Sequence, residues 1–157
     1  MKSISENCYN DAYMPLTMEH EIKMLMSFLT SENPEILITD CDLRKSLGFE
    51  EDENIHCTST ECEKIKNCVP LNPAMPFLPL RRFDAWVVDM DRLPLNPGYV
   101  FHLASTTLKM MGVVAIIGEV EDHVALAYGF QILHHGRWNY YLKGSESRGV
   151  EDFRDVA

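Results

Sequence analysis

The stretch that decides the fold is FDAWVVDMD, which runs from Phe83 to Asp91. It joins β-branched and aromatic residues in a short, unbroken apolar core and then ends in acidic residues. Such continuous apolar character is typical of a strand that is buried on both faces of a parallel sheet. Because ligands of open α/β sheets bind at the carboxyl ends of the strands, Asp89 and Asp91 are candidate site residues.

The segments that follow this strand alternate between helical and extended patterns. Apolar periodicity, turn residues and β-rich runs predict, in order, a helix over Tyr99–Met111 capped by Gly112, a buried strand over Val113–Ile117, a helix from Asp122 that closes at Gly129, and an antiparallel pair of strands, Phe130–Leu133 and Trp138–Leu142. A helix between two buried strands is the pattern of a parallel α/β sheet, and the closing pair adds an antiparallel hairpin.

The segments before the Phe83–Asp91 stretch also alternate between helical and extended patterns. They are a helix from Thr17 that stops at Asn33-Pro34, a strand over Glu35–Thr39, a short helix over Leu43–Leu47, a weak strand over Asn54–Thr58, and a helix over Glu61–Asn67. Prolines at four positions between Val69 and Leu80 exclude a helix interior and a central strand, so this stretch is predicted to be a long connection.

Length and composition are those of one globular domain of 157 residues. We expect a flexible leader over residues 1–14, an α/β domain over 15–144 and a polar tail over 145–157. The net charge of −10 repels a phosphate backbone, so nucleic acid is not an expected partner. No apolar run approaches the about 20 residues that span a bilayer, and no secretory signal is seen, so we expect no membrane contact and a cytoplasmic location.

Five cysteines, an odd number, do not suggest a disulfide framework, and a reducing compartment would keep them as thiols. His56, Cys57, Cys62 and Cys68 offer the sulfur and imidazole ligands that zinc prefers. Structural zinc sites, however, usually contain close cysteine pairs, which this spacing lacks. We predict no metal site, and whether these four residues bind a metal stays open.

The order of elements resembles that of class I methyltransferases that use S-adenosylmethionine. The most specific part is Leu108-Lys109-Met110-Met111-Gly112 followed by Val113–Glu119, which is similar to that family's helix, leucine-lysine turn, glycine and fifth strand. Tyr128-Gly129-Phe130 is similar to the family's entry to its sixth strand. The resemblance implies a Rossmann-like three-layer α/β sandwich, with a mostly parallel sheet and a C-terminal antiparallel hairpin.

The chain departs from this family where the cofactor would bind. Aligned on the first strand, Ile38 stands at the family's acid, and Asp40 and Asp42 stand at two glycines that let the backbone approach the cofactor's carboxylate. Glu61 matches the acid that contacts the ribose hydroxyls. The resemblance therefore implies a degenerate S-adenosylmethionine site lined by Asp40, Asp42, Glu61 and Asp89, with Asp89 and Asp91 as the catalytic candidates.

Two Asp-x-Asp pairs, at Asp40 and Asp42 and at Asp89 and Asp91, also follow apolar strands. Four carboxylates that met in one crevice would need a cation, solvent or raised pKa values. These pairs resemble those of haloacid-dehalogenase phosphatases. That resemblance implies Asp40 as nucleophile, Asp42 as acid/base, and Asp89 or Asp91 as a ligand of Mg²⁺.

These resemblances lead to three functional hypotheses. We favour a degenerate methyltransferase-like domain that is a non-catalytic binding or regulatory module, with a small-molecule ligand, a protein partner or a second copy of itself as its partner. The first alternative is an active, divergent methyltransferase that acts on a small molecule or a protein. The second is a Mg²⁺-dependent phosphohydrolase.

Overall fold

The computed structural model describes residues 18–144. The predicted leader and tail lie outside the described residues. A sheet of seven strands forms the centre of the domain: β1 (Ile36–Thr39), β2 (Ile55–Ser59), β3 (Cys68–Pro70), β4 (Phe83–Asp89), β5 (Leu108–Ile117), β6 (Phe130–His135) and β7 (Trp138–Lys143). The strands lie in the order β3-β2-β1-β4-β5-β7-β6. The first five are parallel, and β7 is antiparallel to both β5 and β6.

Helices cover both faces of this sheet. They are α1 (residues 18–28), α2 (Cys41–Ser46), α3 (Pro97–Thr107) and α4 (Asp122–Ala127). One core cluster joins the sheet to α3 and α4, and a second joins the other face to α1 and α2. The predicted Rossmann-like three-layer sandwich, with its antiparallel hairpin, is confirmed. None of the helices in residues 18–144 is long and apolar enough to cross a membrane.

The stretch that decides the fold is the central strand. In β4 the residues from Ala85 to Val88 are fully buried, and the strand pairs with β1 on one side and β5 on the other. Inside the sheet the Trp86 indole Nε1–H donates to Thr39 Oγ1 at 2.7 Å. The carboxyl ends of β1 and β4 therefore lie side by side, as predicted.

The helix predicted over Glu61–Asn67 is wrong. This segment is a loop in which Lys64 and Asn67 have φ angles of 65° and 53°, and such left-handed residues interrupt a helix. The chain then enters β3, which the prolines had led us to read as a connection. Pro70 is compatible with β3 because that strand pairs only with β2 and forms the edge of the sheet.

The predicted boundary between α3 and β5 is also wrong. The helix ends at Thr107, and Gly112 lies inside β5 instead of capping the helix. The pairing of β4 with β5 shifts register between Phe83 and Ala85, and Met111 on β5 has a φ angle of 65°. This irregularity lets β5 begin at Leu108, before Gly112. Gly112 is needed there because an added Cβ would lie 2.8 Å from the Lys109 carbonyl oxygen.

Free thiols were expected throughout, and for four of the cysteines this expectation is wrong. Disulfides join Cys41 to Cys57 and Cys62 to Cys68. Sheet pairing explains why sequence spacing did not reveal them, because the register sets Cys57 on β2 beside Cys68 on β3. The start of α2 then brings Cys41 to the same place.

Candidate functional site

The candidate site lies at the carboxyl edge of the sheet, between β1 and β4. Thr39 pairs with Val88 in the parallel register, so the next residue along each strand, Asp40 and Asp89, reaches the same crevice. Asp40 is the single residue between β1 and α2. Its Oδ1 accepts a hydrogen bond from the Leu43 N–H at 2.9 Å, which makes it the N-cap of α2.

Arg92 joins the two acids. Its Nη1 lies 3.3 Å from Asp40 Oδ1 and 3.4 Å from Asp40 Oδ2, and its Nε lies 3.3 Å from Asp89 Oδ2. We call Asp40, Asp89 and Arg92 the acid–arginine clamp. The charge of Asp40 is the largest cause of the raised pKa of Arg92. Partial burial opposes it, and the hydrogen bond to Asp40 and the charges of Asp89 and Asp42 add smaller upward contributions.

A tight turn after β4 aims Arg92 at the crevice. The Asp89 carboxylate accepts a hydrogen bond from the Asp91 N–H at 3.1 Å, and the Asp89 carbonyl accepts from Arg92 and Leu93 at 3.0 and 3.2 Å. Leu93, which follows directly, is buried in the core on the α3 face. The turn is thereby held at both ends, and the guanidinium is directed back over the ends of β1 and β4.

The other predicted site residues lie at the rim of this crevice. Asp42 is exposed in the first turn of α2, and Asp91 is exposed beyond β4. Glu61 is exposed in the loop after β2, where its N–H donates to Ser59 Oγ at 3.3 Å. The structure therefore brings Asp40 and Asp89 together around Arg92. Asp42 lines a cavity beside Asp40, whereas Asp91 and Glu61 face solvent.

Two cavities meet at Arg92. The first, of about 440 Å³, covers the ends of β1 and β2. Its lining includes Asp40, Cys41, Thr58, Ser59 and Thr60. The second, of about 370 Å³, lies on the side of α1 and includes Asp89 and Trp138. Volumes of this size can hold a small molecule. A third cavity, of about 660 Å³, lies between α3 and α4 and contains none of the predicted site residues.

Sequence reasoning missed Arg92, which joins the two strand-end acids. Carboxylates that share a crevice need a cation, and a metal ion was the only cation expected from the sequence. The signal was present in the spacing, because an arginine three residues after the strand-end Asp89 can turn back onto it. Ile38, at the position of the family's acid, is fully buried in β1 and offers the crevice no polar group.

Comparison with known proteins supports the architecture. A proposed sarcosine dimethylglycine methyltransferase from Galdieria sulphuraria matches 78% of this chain and 63% of its own, with 12% identity and a TM-score of 0.52. A methyltransferase from Pyrococcus furiosus matches 82% of this chain and 84% of its own, with 14% identity and a TM-score of 0.49.

The cyclase SpnF matches 64% of this chain, which spans only 53% of that protein, with 14% identity and a TM-score of 0.48. No protein-family model matches the chain, and no curated protein is significantly similar to it. At these identities the likeness establishes a methyltransferase-like fold and nothing finer. The solved structures give no support to the phosphohydrolase alternative or to Mg²⁺.

Proposed function

We propose that this chain is a methyltransferase-like domain that does not transfer methyl groups and that acts as a binding or regulatory module. The observation that carries the proposal is the acid–arginine clamp, which lies over the ends of β1 and β4. Cofactors of Rossmann-like folds approach the sheet at this edge. In this chain the edge is occupied by the protein's own charged side chains.

The connection between β1 and α2 argues against binding of a cofactor carboxylate. A glycine-rich turn would present free backbone N–H groups to such an anion. Here the turn is Asp40 alone, and its carboxylate already accepts from the Leu43 N–H. A second carboxylate about 4 Å away would be repelled by about 1 kcal/mol in water and by more where solvent is excluded.

Arg92 does not relieve this repulsion, because its guanidinium already faces two carboxylates. An incoming anion would have to break those contacts or add a third negative charge to them. The cavity over β1 and β2 is better suited to a neutral or cationic small molecule. Thr58, Ser59 and Thr60 line it with polar backbone and hydroxyl groups, and Asp40 supplies negative charge.

The second candidate is an active, divergent methyltransferase. The cavity of about 440 Å³ favours it, because that cavity lies at the carboxyl ends of β1 and β2. On this account S-adenosylmethionine would be bound by Asp40, Asp42, Glu61 and Asp89, and Asp89 and Asp91 would position the methyl acceptor. It requires Arg92 to leave Asp40 when the cofactor enters.

Isothermal calorimetry with S-adenosylmethionine and S-adenosylhomocysteine separates these two functions. We expect no binding heat with the wild-type chain at millimolar ligand. The matched variants are Arg92→Gln, which opens the clamp, and Lys23→Gln, which removes an exposed cation of α1. Micromolar binding by the wild type and by Lys23→Gln would overturn the proposal and favour the active enzyme.

A further inference from the structure

Four cysteines from four separate segments converge on one side of the sheet edge. Cys41 begins α2, Cys57 lies in β2, Cys62 lies in the following loop and Cys68 begins β3. The Sγ atoms of Cys41, Cys57 and Cys68 lie within 4.8 Å of one another, and Cys62 is bonded to Cys68. Three sulfur atoms therefore lie close together, and the Cys62–Cys68 disulfide attaches the fourth to one of them.

One distance between these sulfurs is that of a tetrahedral metal site. The Cys41 and Cys68 Sγ atoms, which belong to different disulfides, are 3.8 Å apart. Four sulfurs placed about 2.3 Å from a central Zn²⁺ are separated from one another by about 3.8 Å. His56, the ligand considered at first from the sequence, is engaged elsewhere, because its Nε2 lies 2.6 Å from Glu35 Oε2.

A buried cation lies beside the cluster. Arg44 is only 5% exposed and stands one helical turn after Cys41 on α2. Its Nη1 donates to the Lys66 carbonyl at 2.8 Å, just before Cys68, whereas its Nε has no hydrogen-bond partner among the described residues.

Within residues 18–144 no carboxylate forms an ion pair with Arg44, and a buried charge that lacks compensation is destabilising. Two disulfides are neutral and offer it none. Four thiolates around one Zn²⁺ carry a net charge of −2, which would compensate a neighbouring guanidinium.

We propose that Cys41, Cys57, Cys62 and Cys68, when reduced, bind one Zn²⁺ as four thiolate ligands. The site is structural, because four protein ligands leave no position open for substrate. It ties the edge strand β3 and the loop after β2 to the start of α2. Since Cys41 also lines the cavity over β1 and β2, the metal would hold one wall of that cavity in place.

The test uses the full chain, reduced with a phosphine in the absence of air and then titrated with Co²⁺ and Zn²⁺. We expect one equivalent of Co²⁺ to produce intense thiolate-to-cobalt charge transfer and tetrahedral d–d bands, and one equivalent of Zn²⁺ to abolish them. Zinc should also protect four thiols per chain from a disulfide reagent. Circular dichroism establishes that the reduced chain is folded.

Variants identify the ligands. Cys57→Ser and Cys68→Ser should each weaken the charge-transfer band and lower zinc affinity by at least tenfold. Two variants are controls. Cys8→Ser makes the same chemical change at the fifth cysteine, and His56→Ala removes the neighbouring imidazole. Both should keep the wild-type spectrum.

The proposal is overturned if the reduced, folded chain takes up no Co²⁺, or if its spectrum is unchanged by Cys57→Ser and Cys68→Ser. It is equally overturned if the reduced chain stays unfolded with excess zinc and regains its fold only on oxidation. In that case the four sulfurs serve as two disulfides alone.

Discussion

At the scale of single residues, Arg92 determines the charge at the carboxyl edge of the sheet. It turns a crevice of acids into an internal ion-pair network, so the negative charge at this edge is partly neutralised without a bound ion. The raised pKa of Arg92 has the same cause, since the neighbouring Asp40 favours the charged guanidinium. The guanidinium of Arg92 is therefore held in its charged form beside these two acids.

Removal of Arg92 should destabilise the chain modestly. We expect Arg92→Gln to lower the free energy of unfolding by about 0.5–1 kcal/mol, because these ion pairs are partly exposed. The loss should shrink in high salt, which screens the charges. Urea unfolding of the wild type, Arg92→Gln and Lys23→Gln measures it. An equal loss in Lys23→Gln, or no dependence on salt, would contradict the clamp.

Asp40 has two roles, which substitution can separate. Asparagine at this position keeps an oxygen to accept from the Leu43 N–H but loses the charge toward Arg92. Alanine loses both. We expect Asp40→Ala to be less stable than Asp40→Asn by about 1 kcal/mol, the usual worth of an N-cap. Thermal and urea unfolding of the two variants would refute the capping role if their stabilities were equal.

At the scale of elements, the junction of β1 and β4 positions the site. The buried hydrogen bond from Trp86 to Thr39 crosses this junction, just behind Asp40. Thr39→Val removes the acceptor and leaves the indole N–H unsatisfied, so we expect a loss of about 1–3 kcal/mol. Thr39→Ser keeps the hydroxyl and is the matched control. Equal stabilities of the two variants in urea would show that this bond contributes nothing.

The β6–β7 hairpin is tied to α4 through His135. Its Nδ1 lies 2.9 Å from Asn139 Oδ1 and its Nε2 lies 3.0 Å from Asp122 Oδ2. The hydrogen bond with Asn139 and then that with Asp122 raise the pKa of His135 above its ordinary value. Because the folded state favours the protonated ring, this stabilisation is complete below a pH of about 6.5 and is lost as pH rises through the raised pKa.

Titration of the His135 ring by NMR should give a midpoint above about 6.5 in the wild type. The midpoint should fall in Asp122→Asn, which removes the carboxylate, and should stay unchanged in Glu121→Gln, which removes a neighbouring one. If Asp122→Asn left the midpoint where it was, the tie between the hairpin and α4 would not be electrostatic.

The elements that could be predicted from the sequence are those with a continuous apolar run. The strands around Ile36 and Val87 were correct to within a residue or two, because burial on both faces leaves few polar positions. Errors occurred where tertiary contacts override local preference. The loop before Cys68 and the early start of β5 depend on cross-strand pairing that spacing along the chain does not encode.

The whole molecule has a methyltransferase-like fold, and the acid–arginine clamp lies at the carboxyl edge of its sheet. The acids of this edge could be predicted from the strands that precede them, and Asp40 and Asp89 do meet. Their cation was missed, because the spacing of Asp89 and Arg92 permits an ion pair but only the turn after β4 brings Arg92 to Asp40 as well. Similarly, the four cysteines share a site only because the sheet aligns β2 with β3.

A crystal structure of the chain grown with excess S-adenosylhomocysteine tests the central claim most directly. We expect Arg92 to remain between Asp40 and Asp89, and the cavity over β1 and β2 to contain no ligand. An adenosine moiety in that cavity, with the guanidinium of Arg92 turned away from Asp40, would contradict the account and identify a working cofactor site.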